Sequence, residues 1–277
     1  MKGSTKLGIL AGAGDLPGRV IAACPEARRE VFVIAFEGIA DAAPIDAVAH
    51  EWVRLGAVGR TLSLLHEAGV EEVVLAGPVG RLVPLRSLRP DARGLTLLKD
   101  LGKGAFGDAR LLSLIVRAFE EEGFRVLGVD EILTDLLAPR GPVGALEPDA
   151  DALADIATAV EVARVLGALD VGQAVVTQQG IVLGVEAAEG TDALLERCAA
   201  LRREGPGGVL VKLRKPGQER RADLPAIGTR TIEGARAAGL RGIAVEAAGA
   251  LIIDRSAVAE AADAAGIFVI GMAPDDA

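Results

Sequence analysis

The sequence has few of the residues that build metal centres and disulfide frameworks. Its 277 residues include two histidines, His50 and His66, and two cysteines, Cys24 and Cys198. None of these follows a metal-ligand spacing, which disfavours a zinc ribbon, a disulfide framework and a histidine-rich metallophosphoesterase. A Ser-His-Asp hydrolase also needs an available histidine. We therefore expect a protein of a reducing compartment, whose chemistry rests on carboxylates, cations and backbone amides.

Aromatic residues and long apolar segments are also scarce. Tyrosine is absent, Trp52 is the single tryptophan, and 51% of the residues are nevertheless hydrophobic. A bulk of Ala, Val, Leu, Ile and Gly is typical of layered α/β proteins. No segment reaches the roughly 20 apolar residues that cross a bilayer, so any lipid would be met at the membrane surface. The net charge of −9 argues against a general nucleic-acid binder.

Apolar and amphipathic segments alternate along the chain and predict an α/β fold of two domains. The N-terminal half predicts a doubly wound, Rossmann-like parallel sheet. The C-terminal half predicts a long helix, a hairpin and renewed alternation, hence an α/β domain with a mixed sheet. A stretch rich in Pro and Gly separates the halves. The expected divisions are an N-terminal domain at 1–137, a linker at 138–149 and a C-terminal domain at 150–277.

Glycine-rich turns follow two predicted strands of the first domain. One turn comprises Gly12, Gly14, Asp15 and Leu16, and the other begins at Gly77 and Pro78 and extends through Gly80 and Arg81. Loops at the carboxyl ends of parallel strands commonly contact ligands. The pattern Gly12-x-Gly14 with Glu37 after the next strand also allows a dinucleotide site, although Pro17 stands in place of the usual third glycine.

A dense polar loop spans 212–228, between a predicted strand and a predicted helix. Lys212, Lys215, Arg220 and Arg221 could neutralise a pyrophosphate, while Glu219 and Asp223 could hold a divalent cation or orient a water. Gly228 and Thr229 stand where the next helix begins, and helix N-termini bind phosphates. The alternative is a solvated loop whose charges pair with one another.

A second polar segment, Glu186-Ala-Ala-Glu-Gly-Thr-Asp192, follows the predicted hairpin. Thr191 or Asp192 is the expected N-cap of the following helix. Capping accounts for one of these residues and leaves Glu189 and Gly190 as candidate ligand contacts.

These motifs resemble the LpxI-type UDP-2,3-diacylglucosamine pyrophosphatases of lipid A biosynthesis. The similarity runs from about residue 6 to the C-terminus and includes Val-Glu-Ala-Ala-Glu-Gly-Thr-Asp, Lys-Pro-Gly-Gln-Glu-Arg-Arg-Ala-Asp-Leu-Pro, and the block that begins at Gly107-Asp108. The resemblance implies cleavage of the substrate to UMP and 2,3-diacylglucosamine 1-phosphate (lipid X), with Mg²⁺ as cofactor. It also implies a cytoplasmic homodimer that works at the surface of the inner membrane.

The resemblance and the residues together give the expected site. Asp223 matches the family's essential acidic position; it is the candidate for water activation and metal binding, with Asp192 as a possible second metal ligand. Lys215 and Arg220 are the candidates for stabilising the pyrophosphate. The remaining expected substrate contacts are Gly12, Gly14, Asp15, Leu16, Gly77, Pro78, Glu189, Gly190, Thr191, Asp192, Lys212, Gln218, Gly228 and Thr229.

The ligand is expected between the two domains, because the Gly-rich and charged loops divide between both halves. Two other function classes remain open. One is an NAD-dependent Rossmann oxidoreductase that uses Gly12, Gly14 and Glu37. The other is a glycolipid-binding protein without turnover.

Overall fold

The computed structural model describes residues 5–79, 90–100 and 108–273. The chain forms two compact units. The N-terminal unit comprises the described residues up to Thr134 together with Glu219–Asp223, and the C-terminal unit comprises Asp135–Gln218 and the described residues from Leu224 onward. The inclusion of a five-residue segment from the polar loop in the N-terminal unit follows from no pattern in the sequence.

The described strands of the N-terminal unit form one parallel sheet, as the sequence predicts. Its order is β3-β2-β1-β4-β5, in which neighbouring strands pair in parallel. The strands are β1 (Leu7–Ala11), β2 (Val31–Phe36), β3 (His50–Val53), β4 (Glu72–Ala76) and β5 (Arg125–Leu127). The helices are α1 (Leu16–Ala23), α2 (Ala42–Ile45), α3 (Val58–Glu67), α4 (Ala92–Asp100), α5 (Asp108–Glu121) and α6 (Val129–Ile132), followed by a 3-10 turn at Thr134–Leu136.

Burial explains why this sheet forms. Strand β1 is buried at every position because helices cover both faces of a doubly wound sheet. The ring of Phe119 packs edge-on against Phe124, and the ring of His66 also contacts Phe124, with ring centroids 4.5 Å apart. Strand order reverses between β1 and β4, and ligands of such sheets bind at the carboxyl ends of the strands on either side of this point.

The C-terminal unit is built on a mixed sheet of order β6-β13-β11-β9-β7-β8. Strands β9, β11 and β13 are parallel, whereas β6, β7 and β8 pair antiparallel with their neighbours. Its strands are β6 (Gly141–Pro142), β7 (Ala174–Gln178), β8 (Ile181–Val185), β9 (Val209–Lys212), β11 (Gly242–Glu246) and β13 (Phe268–Met272), and β10 (Ala226–Ile227) pairs separately with β12 (Leu251–Ile252). The helices are α7 (Ala150–Ala168), α8 (Thr191–Ala199), α9 (Thr229–Ala237) and α10 (Arg255–Ala265). The α/β class with a mixed second sheet is thus confirmed.

Two apolar clusters fill the C-terminal unit. One joins α7 to the sheet through residues such as Ile156 and Val211, and the other joins α8, α9 and α10 to it through residues such as Leu194 and Ile232. The stretch 138–149, predicted as a linker, contributes β6, whose Gly141 and Pro142 pair with β13. No helix within the described ranges combines the length and hydropathy of a membrane span.

Candidate active site

The glycine-rich turn after β1 packs directly on the loop after β4. The N–H of Ala13 donates to the carbonyl of Pro78 at 2.8 Å. A Cβ on Gly12 would lie 2.4 Å from the carbonyl oxygen of Gly77, and a Cβ on Gly77 would lie 2.4 Å from that of Ala13. Glycine is therefore required at both positions by backbone contact. The predicted candidates Gly12, Gly77 and Pro78 are brought together where the strand order reverses, while Gly80, Arg81 and Gly107 lie outside the described residues.

The rest of this turn leads into α1. Gly14 has φ +79 and its N–H donates to a carboxylate oxygen of Asp41 at 3.2 Å. Asp15 is the N-cap of α1 and is exposed, without a capping hydrogen bond from its side chain, and Leu16 is the first helical residue. An exposed turn beside a helix N-terminus offers backbone N–H groups to an anion.

Segment Glu219–Asp223 is tied to the N-terminal unit by Arg221. This guanidinium donates to Glu219 at 2.9 and 3.0 Å and to Glu120 of α5 at 2.5 Å. The hydrogen bond from Arg221 lowers the pKa of Glu219, and Glu219 in turn raises the pKa of Arg221 further above its usual range. Ala222 packs against the apolar core of the unit. Arg221 is thus committed to carboxylates and serves as an anchor of the segment.

Arg220 is held quite differently from its neighbour. Its Nε and Nη2 donate to one oxygen of Asp130, at 3.2 and 2.9 Å. The Arg220 side chain is 42% exposed, whereas that of Asp130 is 9% exposed. Arg220 therefore keeps an exposed cationic face beside the start of α6, which contacts α1 and β4.

Asp223 closes the same segment. Its side chain is partly buried, and its backbone N–H donates to the carbonyl of Glu219 at 2.9 Å, which curls the segment into a turn. Arg220 and Asp223, two of the three catalytic candidates from the family motif, thus belong to one short segment next to Gly128 and α6, at the carboxyl end of β5.

Lys212 lies inside the C-terminal unit. It is 7% exposed, and its Nζ donates to Thr191 Oγ1 and to the carbonyl of Ala226, each at 2.9 Å. Thr191 Oγ1 donates in turn to Glu186 at 2.8 Å, and Glu186 is 1% exposed. Lys212 and Thr191 therefore connect the start of α8 to strand β10 through buried polar groups.

Lys215 is also directed into the C-terminal unit. Its Nζ lies 2.6 Å from a carboxylate oxygen of Asp170, and the side chain is 4% exposed. Its backbone N–H donates to Gln218 Oε1 at 2.9 Å, while Gln218 Nε2 donates to Gln173 at 3.3 Å. The predicted pair Lys215 and Gln218 is brought together, in a buried network that shapes the loop from within.

Two helices of the C-terminal unit begin side by side with glycine N-caps. Gly190, with φ +83, precedes α8 and Gly228 precedes α9, so the predicted caps Thr191 and Asp192 are wrong: both stand inside the first turn. At Gly190 the positive φ favours glycine, because most side chains rarely adopt this backbone conformation. Asp192 and Arg230 form an exposed ion pair at 2.7 Å between the two helices, and Thr229 opens α9.

Glu189 is fixed by Arg197 rather than left free for a ligand. Arg197 donates to Glu189 at 2.7 Å, and the backbone N–H of Ala187 donates to the other carboxylate oxygen at 3.1 Å. These hydrogen bonds lower the pKa of Glu189, and the bond from Arg197 has the largest effect. The site is exposed, so the pair orders the loop before α8 without burying charge.

The described residues contain no group of three or more His, Cys, Asp or Glu side chains arranged to hold a metal ion. Mg²⁺ needs no such group, since it commonly binds through one or two carboxylates and completes its shell with water and substrate phosphate. Asp223 offers a partly exposed carboxylate of this kind. Asp192 belongs to the C-terminal unit and is engaged by Arg230. The donor set therefore fits Mg²⁺ bound chiefly by Asp223 and phosphate.

Two acids that hold candidate cations within their own units escaped the sequence reasoning: Asp130 in the N-terminal unit and Asp170 in the C-terminal unit. Asp130 lies 90 residues from Arg220, and Asp170 lies 45 residues from Lys215. Asp170 has apolar neighbours in the sequence, and Asp130 has Glu131 next to it. The signal that could have found Asp130 is its position just after the strand β5, where acidic residues of parallel sheets face the ligand edge.

Taken together, the N-terminal unit has a Rossmann-like sheet, glycine-rich turns at its carboxyl edge and an Arg/Asp segment near the end of β5, which is the class of α/β protein that commonly binds nucleotides. The family models of the LpxI N-terminal domain and the LpxI C-terminal domain match residues 6–136 and 139–270. The UDP-2,3-diacylglucosamine pyrophosphatase LpxI of Caulobacter vibrioides is 42% identical, over 98% of this chain and 99% of that protein. The chain belongs to the LpxI family.

Similarity to solved structures is weak. CobK precorrin-6A reductase has a TM-score of 0.35 at 17% identity, over 96% of this chain and 86% of that one. The biotin carboxylase subunit of pyruvate carboxylase has a TM-score of 0.25 at 14% identity, and the matched region spans 34% of its length.

Proposed function

We propose that the protein hydrolyses the pyrophosphate of UDP-2,3-diacylglucosamine to UMP and 2,3-diacylglucosamine 1-phosphate, a step of lipid A biosynthesis. The observation that carries the proposal is the 42% identity to a protein named for this activity, across nearly the full length of both chains. The placement of Arg220 and Asp223 in one segment beside the carboxyl edge of a nucleotide-binding type of sheet supports it.

Arg220 supplies charge to the pyrophosphate. Hydrolysis places extra negative charge on phosphate oxygens, and a guanidinium with an exposed face stabilises that charge more in the transition state than in the ground state. Arg221 lacks this freedom because two carboxylates hold it. Lys215 is bound to Asp170 inside its unit, so we assign it to shaping the loop rather than to the reacting phosphates.

Asp223 orients the water that attacks phosphorus and accepts its proton as the new P–O bond forms and the bridging P–O bond breaks. Mg²⁺ bound there would neutralise phosphate charge and lower the pKa of a coordinated water. The backbone turn from Glu219 to Asp223 fixes the carboxylate relative to Arg220 within the same segment.

The glycine-rich turns at Gly12–Leu16 and Gly77–Pro78 contact the nucleotide part of the substrate. The N–H groups of Gly12, Ala13 and Gly14 are bonded within the protein, so the expected N–H donors are those of the first turn of α1. The close packing of the turns requires glycine, and the N-terminus of α1 beside them favours an anion. In the C-terminal unit, the start of α8 at Gly190–Asp192 and of α9 at Gly228–Thr229 remain predicted substrate contacts.

The enzyme works in the cytoplasm at the surface of the inner membrane, because its substrate carries two acyl chains that partition into lipid. It acts as a homodimer, as we expect from the family. Sedimentation with liposomes that carry the substrate, compared with substrate-free liposomes, tests the first statement. Light scattering of the purified protein tests the second.

Incubation of the purified protein with UDP-2,3-diacylglucosamine and Mg²⁺ tests the activity itself. We expect UMP and the lipid phosphate in equal amounts, followed by chromatography and phosphorus NMR. UDP-N-acetylglucosamine, which lacks the acyl chains, serves as the control and should react far more slowly. Substrate that binds but releases no UMP over hours would indicate a glycolipid-binding protein, and tight NAD binding without a response to Mg²⁺ would indicate an oxidoreductase.

A further inference from the structure

Two adjacent arginines of the segment Glu219–Asp223 have opposite surroundings. Arg221 is shared between Glu219 and Glu120, two carboxylates on either side of its guanidinium. Arg220 contacts a single acid, Asp130, and does so along one edge, through Nε and Nη2. Among the described residues, none accepts a hydrogen bond from Arg220 Nη1.

The surroundings of Asp130 hold its carboxylate against the Nε and Nη2 edge of Arg220. It stands in the short helix α6, directly after the end of β5. Its side chain is 9% exposed. A Cβ on Gly128 would lie 2.3 Å from Asp130 Oδ1 and 3.7 Å from the Cα of Arg221, so glycine at 128 makes room for the carboxylate and the segment.

We infer that Asp130 is a positioning residue: it fixes the orientation of Arg220 so that the other edge of the guanidinium is presented to the pyrophosphate. The inference rests on the proposed function for the role of Arg220. A buried carboxylate is costly without its cation, so Asp130 keeps Arg220 in one place. The guanidinium fork has donors on both edges, and it can bind a carboxylate on one and a phosphate on the other.

A double-mutant cycle tests the coupling. Asp130→Asn should lower kcat/KM by about 10- to 100-fold, the effect of losing a hydrogen bond between charged groups. The same change in the Arg220→Ala background should have less than about a twofold effect, because there is no guanidinium left to orient. Equal losses in both backgrounds would overturn the inference and leave Asp130 as a support of α6.

Chemical rescue distinguishes a positioning role of Asp130 from a purely structural one, because a structural role would not make rescue by free guanidinium depend on Asp130. Added guanidinium chloride should restore part of the activity of Arg220→Ala, and the rescue should be lost in Arg220→Ala/Asp130→Asn. Asp130→Glu covers the case in which the amide variant does not fold. The matched control is Glu122→Gln, which removes a carboxylate from an ion pair with Arg93 in the same unit and should leave kcat unchanged.

The two failures can be told apart. A wild-type protein that releases no UMP refutes the proposed function, and the same cycle is then measured on the affinity for inorganic pyrophosphate by calorimetry. Non-additive losses for Asp130→Asn and Arg220→Ala support the positioning role. Additive losses, or no pyrophosphate binding by the wild type, overturn it.

Discussion

The buried ion pair of Lys215 and Asp170 gives an asymmetric prediction: Asp170→Asn destabilises the C-terminal unit more than Lys215→Met does. The two side chains meet at 2.6 Å, but Lys215 is 4% exposed and Asp170 is 30% exposed. Removal of the acid leaves a buried ammonium without its counterion. Removal of the lysine leaves a carboxylate that water can reach.

The magnitude follows from these exposures. Breaking a fully buried pair costs about 3–5 kcal/mol, and partial solvation of Asp170 reduces this to roughly 2–3 kcal/mol for Asp170→Asn and about 1 kcal/mol for Lys215→Met. Asp170 has φ +55, a conformation that Asn also tolerates, so the amide isolates the loss of charge. Asp170→Ala should lose roughly 1 kcal/mol more through backbone strain.

Thermal unfolding followed by circular dichroism measures the effect. At roughly 3 °C per kcal/mol, Asp170→Asn should lower Tm by about 6–9 °C and Lys215→Met by about 3 °C. The double variant should be more stable than Asp170→Asn alone, because no buried charge is left unpaired. A Lys215→Met protein with unchanged Tm and a kcat lowered a hundredfold or more would refute this reasoning and place Lys215 on the reacting phosphates.

Four further outcomes are expected. Asp223→Ala should lower kcat by several orders of magnitude with little change in substrate affinity, and an active variant would contradict the assignment. Excess EDTA should stop UMP release and Mg²⁺ should restore it; an unchanged rate would point to catalysis by cations of the protein alone. The folded-state pKa of Glu219 lies below its usual 4.5 because of Arg221, so the pair stabilises the protein above pH 4.5 and this contribution disappears as pH falls through the lowered value. Glu219→Gln should flatten that part of the stability profile, and a profile identical to the wild type would exclude the pair as its cause. Gly77→Ala should sharply reduce stability or activity, because its Cβ would meet the carbonyl of Ala13 at 2.4 Å, and a fully active, equally stable variant would show that this backbone contact is dispensable.

Much of the fold could be predicted because the pattern of apolar and polar residues along a segment reflects which of its positions are buried. The run Leu7–Ala11 is apolar at nearly every position, as a strand covered on both faces must be, and the glycines that follow it indicated a tight turn. The helix from Thr191 was also predictable, but its cap was not. Thr191 and Asp192 are good capping residues, and the left-handed backbone at Gly190 displaced them by one position.

The partners of the charged residues could not be predicted. Asp130 and Asp170 are two acids among many. The end of a strand marks the position of Asp130, but nothing in either local sequence indicates the partner. A pattern of 3.6 or 2 residues reports which face of an element is buried, but it carries no information about contacts across 90 positions of chain. Such pairs become visible once the elements are packed.

The polar loop 212–228 illustrates the same limit within one motif. From composition alone, every cation of the loop is an equally good candidate for binding an anion. Their burial in the structure separates them into two groups. Lys212 and Lys215 extend inward and satisfy oxygens of the C-terminal unit, at 2.9 and 2.6 Å. Arg220 keeps an exposed face in the segment grouped with the N-terminal unit. The difference has a chemical basis: a lysine carries a compact charge at the end of a long apolar stem that can be buried, whereas the planar guanidinium can hold a carboxylate on one edge and still offer donors on the other. We therefore expect Arg220→Lys to lower kcat/KM, whereas the two lysines act through the stability and shape of the loop.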